Sequence, residues 1–165
     1  MKKLLLTLAL VVCAFIYVDA QPRAIGANIG YGASVSYQHS LGEANFLDIA
    51  VEFPGFSGVG ASCTYDWVNP FNTAIPWNEK GSWNWSLGVG AGGGVIFVPG
   101  GVGGYVGAVG HCGVAYDFWF PLQLSVDYRP NLGVVLASAY EGGTAAAFYG
   151  SGLFTGISIG VRYRF

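Results

Sequence analysis

The chain has 165 residues, 53% of them hydrophobic and only 10% charged, with 27 glycines, 11 Phe, 10 Tyr and 5 Trp. A soluble domain usually carries about 25% charged residues, so the polar coat of an ordinary globule is missing, and so much apolar and aromatic surface also excludes intrinsic disorder. Seven Lys and Arg against nine Asp and Glu offer no basic field for phosphates, which excludes a strong nucleic-acid binder.

Lys2 and Lys3 precede an uncharged run from Leu4 to Val18, and Val18-Asp19-Ala20 puts small or tolerated residues at the cleavage positions of a secretory signal peptide. The expected division is residues 1–20 as an export signal, cleaved after Ala20, and residues 21–165 as one domain. The alternative is a membrane anchor helix, which needs about 20 apolar residues; this run is shorter. Cys13 follows Val12, where a lipid-modification signal has a small residue. Without the leader, 5 basic and 8 acidic residues remain.

From residue 21 onward the pattern has a period of two, the mark of strands with two unlike faces. Ile25, Ala27, Ile29 and Tyr31 oppose Gly26, Asn28 and Gly30; Ala33, Val35, Tyr37 and Leu41 oppose Ser34, Ser36 and Gln38. Leu47, Ile49, Val51 and Phe53 oppose Asp48, Ala50 and Glu52; Val59, Ala61, Cys63, Tyr65 and Trp67 oppose Gly58, Gly60, Ser62, Thr64 and Asp66. Residues 81–116 carry no charge, but glycines and Pro99 recur through them, and each interior glycine costs a helix about 1 kcal/mol. There, Trp83, Trp85, Leu87, Val89 and Ala91 oppose Ser82, Asn84, Ser86 and a row of glycines. Val106, Ala108, Cys112, Val114 and Tyr116 then oppose Gly107, His111, Gly113 and Asp117, with Val109 as an exception. Leu122, Leu124, Val126 and Tyr128 oppose Gln123, Ser125, Asp127 and Arg129; Leu153, Thr155, Ile157, Ile159, Val161, Tyr163 and Phe165 oppose Gly156, Ser158, Gly160, Arg162 and Arg164.

These eight segments predict an all-β fold, an eight-stranded antiparallel up-and-down transmembrane β-barrel, since a closed barrel is the non-helical way to satisfy every backbone group in lipid. A soluble sandwich would show a solvated face rich in Lys and Glu. Here the polar face is mostly Gly, Ser, Asn and Gln, as the crowded interior of a small barrel requires. With both termini in the periplasm, Tyr37, Tyr65, Trp67, Trp83, Trp85, Tyr116, Trp119, Tyr163 and Phe165 fall at the periplasmic interface, where aromatic residues concentrate. Pro54 and Gly55, residues 98–101 and the long segment 130–152 then form outer loops, while residues 69–81 and 118–121 are periplasmic. Residues 133–140 are apolar enough to be a strand, and in that rival count the first two segments merge.

The sequence resembles the small outer-membrane β-barrel proteins abundant in the Bacteroidota. The matching stretches are Gly32-Ala33-Ser34-Val35-Ser36-Tyr37-Gln38-His39, Trp83-Asn84-Trp85 with its glycines, the run from Pro121 to Pro130, and Gly160-Val161-Arg162-Tyr163-Arg164-Phe165. The resemblance implies an outer-membrane location and, in Val161, Tyr163 and Phe165 of the last strand, the signal read by the barrel insertion machinery. It implies no catalytic residue.

Among candidate site residues, Asp48, Glu52, Asp66, Asp117 and Asp127 face Arg129, Arg162 and Arg164 across the lumen, with His111 among them. Unpaired, such charges would cost several kcal/mol each in a dry interior. They are expected to form a mutually satisfied plug, the alternative being a narrow polar path for ions. Cys63 and Cys112 point outward on strands separated by one other, roughly 10 Å apart, too far for a disulfide. Residues 88–93 formally match G-x-G-x-x-G, but no helix follows. His39 and His111 are too few for a metal cluster, so no metal or cofactor is expected, and pairing His111 with a serine such as Ser86 is the hydrolase alternative. The expected function is a structural or surface-binding role through outer loops, without enzymatic activity and with outer-membrane lipids as partners. The rival readings are an outer-membrane enzyme acting on lipid, of the size of lipid A acyl-modifying barrels, and a small pore.

Overall fold

A computed structural model describes residues 22–71, 80–98, 101–138, 144–151 and 156–165. The expected leader and its cleavage site lie outside the described residues, as do most of the 69–81 connection and the tips of two hairpins.

Ten antiparallel strands follow one another: β1 (Pro22–Gly30), β2 (Gly32–Ser40), β3 (Asn45–Pro54), β4 (Gly58–Pro70), β5 (Gly81–Val98), β6 (Gly101–Phe118), β7 (Leu122–Tyr128), β8 (Asn131–Ser138), β9 (Thr144–Ser151) and β10 (Ile157–Arg164). β1 to β7 pair in sequence order, β7 pairs with β10, and β10 pairs with β1. The wall is therefore a closed barrel of eight strands, and no helix occurs among the described residues.

The two remaining strands continue the wall upward. β7 pairs with residues 112–117 of β6, and β8 pairs with residues 103–109 of the same strand. Between them lies Arg129-Pro130, where proline has no N–H to give the ladder. Gly110 N donates to Pro130 O, and Arg129 N donates to Gly156 O, each at 2.9 Å, which carries the pairing across the break. β9 pairs with β8. Within segment 130–152, expected as the longest loop, β8 covers most of the 133–140 stretch that the rival count took as a strand, and β8 and β9 pair without adding a strand to the barrel; Leu153 and Thr155 lie outside the described residues. The first two segments do not merge; they stay apart as β1 and β2, turning at Tyr31. β5 and β6 reach 18 residues each, longer than their alternating segments; β4 accompanies β5 as far as Ile96, and the upper part of β6 takes β8 and, through it, β9, which continue the wall above the β1–β2 turn.

The interior is inverted relative to a soluble core. Among the described residues the buried apolar side chains are Ala24, Phe46, Ala50, Val109 and Ala115, against sixteen buried polar or charged ones. The outer surface is apolar all round, with Ile29, Val35, Val51, Leu87, Val126 and Ile159 each about half exposed or more. Val109, the one break in the alternation of β6, points inward and is buried.

Candidate functional site

Strand parity turns the charged side chains inward, and register decides which of them meet. Arg162 of β10, 1% exposed, is the hub of the lower lumen. Its Nη2 donates to Asp127 Oδ2 and to Asn28 Oδ1, both at 2.9 Å, its Nη1 donates to Ser125 at 2.5 Å, and its Nε donates to Ser36 at 3.3 Å. His111 of β6 places Nδ1 2.5 Å from Asp66 and Nε2 3.1 Å from Asp127, while Thr64 donates to Asp66 and Ser125 to Asp127, each at 2.6 Å. Asp117 sits nearer the end where β1 begins and β10 finishes, 3.5 Å from Arg164, and accepts from Asn84 and Gln123. Higher up, Arg129 lies 3.2 Å from Asp48 and 3.8 Å from Glu52. Gln38 donates to Asp48 and Ser62 to Glu52.

Of the nine expected lumen residues, Asp48, Glu52, Asp117, Asp127, Arg129, Arg162 and Arg164 meet a partner of opposite sign, and His111 lies between Asp66 and Asp127. The neutral members, Asn28, Ser36, Gln38, Thr64, Asn84, Gln123 and Ser125, were visible only as polar positions in the alternation. Arg23 was missed. A register shift between Pro22 and Ala24 lets its guanidinium stack 4.7 Å above the Phe46 ring. Beside Arg23, Gln38 and Arg162 the lower lumen keeps a space of only about 10 Å³, no more than one water needs. Both ring nitrogens of His111 face carboxylates, leaving neither for Ser86. Gly88, in the G-x-G-x-x-G stretch, lies in β5, where a Cβ would overlap the Asp66 carboxylate.

Above this packed section the barrel opens. A cavity of about 340 Å³ lies at the mouth, between the low rim at Tyr31, Phe53 and Pro54 and the tall wall of Ile96, Tyr105, Val135 and Tyr149. Its polar lining is Asn28, Ser34, Glu52, Arg129, Asn131 and Ser158, so the top of the charged network is the floor of the cavity. The Tyr105 hydroxyl reaches across to β4, over Gly60, where a Cβ would overlap it. Tyr149, on β9 beyond the closed wall, meets Tyr105 edge to face at 5.6 Å and donates to Asn131 Oδ1 at 2.8 Å. Burial, with Tyr105 and the Glu52 carboxylate nearby, pushes its phenol up to about 12, so it remains a donor at neutral pH. Segment 130–152, read as a loop, supplied no expected site residue, yet it contributes Asn131, Val135 and Tyr149.

The nine expected girdle aromatics lie toward the end where β1 begins and β10 finishes: Tyr37 on β2, Tyr65 and Trp67 on β4, Trp83 and Trp85 on β5, Tyr116 on β6, Trp119 in the β6–β7 turn, and Tyr163 and Phe165 at the last strand. Neighbouring rings touch, as in Tyr65 with Trp67, Trp83 with Tyr116, and Tyr163 with Phe165. Val161 and Tyr163 point outward and, like Phe165, are exposed. Cys63 and Cys112 are free thiols on the outer surface, on β4 and β6 with β5 between them.

Fold and interior together define a closed eight-stranded antiparallel barrel with an apolar outer belt, a lumen filled by paired charges, and a cavity at one mouth. Neither protein-family models, nor curated proteins, nor solved structures yield a match to this chain.

Proposed function

We propose that the chain is an integral outer-membrane β-barrel protein, exported by residues 1–20, that serves a structural or surface-binding role through the mouth opposite its termini. The observation that carries this reading is the inverted polarity. An outer belt of Ile25, Ile29, Val35, Ile49, Val51, Leu87, Val126 and Ile159, all exposed, is far larger than the patches soluble monomers tolerate. Lipid is the solvent that suits it, and full burial of each such side chain is worth about 1.5–3 kcal/mol. The aromatic end supports a membrane interface there, and the resemblance to small Bacteroidota barrels agrees with this. The paired charges across the lumen favour a plug over an ion path.

The test is expression of the chain in a Gram-negative host, followed by membrane fractionation and flotation of the purified protein with phospholipid vesicles. The expected result is recovery in the outer-membrane fraction, co-flotation, and faster gel migration before heating than after. Recovery as a soluble monomer that does not float with vesicles overturns the proposal.

A further inference from the structure

We propose that the mouth cavity is a binding site for a neutral saccharide, one or two pyranose rings held against Tyr105 and Tyr149 with their hydroxyls turned to the floor. The site deepens the surface-binding reading and rests on it for access from outside the cell. The cavity, at about 340 Å³, falls within the range of small-ligand sites. Its walls and floor differ in kind. The walls present aromatic faces from three separate elements, Tyr31 in the β1–β2 turn, Tyr105 on β6 and Tyr149 on β9, suited to the C–H face of a pyranose. The floor presents amides and hydroxyls, suited to the ring's edge.

Charge decides against other ligands. Among the described residues the charged groups in the lining are Glu52 and Arg129, which lie 3.8 Å apart, with Asp48 closer to Arg129 at 3.2 Å. An anion would find no free guanidinium and would meet the negative charge left by two carboxylates around one arginine. An acyl chain would cover Asn131 Nδ2 and Ser158 Oγ, the groups of the lining without a partner among the described residues, and each group buried without one costs about 1–3 kcal/mol. A neutral polyol satisfies them instead. Tyr149 occupies Asn131 Oδ1, which leaves the Asn131 Nδ2 group to donate elsewhere, and among the described residues Ser158 Oγ has no hydrogen bond. The aromatic wall is fixed beforehand: Tyr105 lies against the glycines at 60 and 94, so little side-chain freedom is lost on binding.

The experiment places the chain, reconstituted in lipid nanodiscs, on an array of immobilised neutral oligosaccharides beside uronic-acid and sulfated ones. A vesicle-flotation control is run on the same preparation. The expected result is retention on a subset of neutral glycans, competed by the free sugar. That retention should fall at least tenfold in both Tyr149→Ala and Tyr105→Ala, each keeping its heat-dependent gel shift. No retention on neutral glycans, retention confined to charged glycans, or retention undiminished in both variants overturns the saccharide site. Flotation without retention therefore refutes the site alone, and retention without flotation refutes the membrane reading alone.

Discussion

Replacing Arg162 with leucine removes the hub of the lower lumen while keeping its bulk apolar. Arg162 is 1% exposed and bonded to Asp127, Asn28, Ser125 and Ser36. Removing one partner of a buried ion pair costs about 3–5 kcal/mol, because the other charge stays behind. Asp127 keeps His111 at 3.1 Å and Ser125 at 2.6 Å, so the loss belongs at the lower end, about 3 kcal/mol. That is roughly a hundredfold in the folding equilibrium. Urea unfolding from phospholipid vesicles, followed by tryptophan fluorescence, measures it. Asp127→Asn and the double variant complete a cycle, and the double variant should cost less than the sum of the singles by about 1 kcal/mol or more. A loss for Arg162→Leu within about 0.5 kcal/mol, the size of an indifferent surface change, would refute a structural role for the network.

His111→Leu removes the ring that Asp66 and Asp127 share and should destabilise by about 3–5 kcal/mol in the same assay, with partial recovery when Asp66→Asn is added. Gly60→Ala drives a methyl group into the Tyr105 hydroxyl, the far end of a movable side chain. It should leave the heat-dependent gel shift intact while lowering glycan retention severalfold. In reconstituted vesicles Cys63 and Cys112 should react with a membrane-soluble maleimide and resist a charged one, as mass spectrometry of the intact chain would show; equal labelling by both would contradict a lipid-facing surface.

The eight wall strands were legible because each alternates over enough residues for its two faces to differ chemically. Where both faces are small or apolar, the signal fails. Gly92, Gly93 and Gly94 on β5 and Gly101, Gly103 and Gly104 on β6 have no side chain to mark a face, so the upper halves of these strands could not be read. β9 reads Thr-Ala-Ala-Ala-Phe-Tyr-Gly-Ser, with no alternation, and Pro130 before β8 reads as a stop. In the structure that proline interrupts one long strand. The inward charges were legible as a set, but their pairings were not: Arg129 meets Asp48 and Glu52 of β3 across the lumen, which depends on barrel closure rather than sequence distance. The cavity stayed hidden because its tall wall is built from the stretches that carry the weakest periodic signal.

The plug and the cavity are one construction. Counting Arg23, the lumen holds four arginines and five carboxylates, with the His111 ring set between Asp66 and Asp127. An interior whose charges all have partners can be sealed without stranding one of them in low dielectric. The break at Arg129-Pro130 joins this plug to the mouth. It ends β7 where the closed wall ends, directs Arg129 toward Asp48 and Glu52, and starts β8, whose Asn131 and Val135 line the cavity. The polar floor is consequently held by ion pairs between strands of a closed wall rather than by a loop. A site on such a support is formed before its ligand arrives, which is where affinity for a weakly interacting, uncharged molecule has to come from.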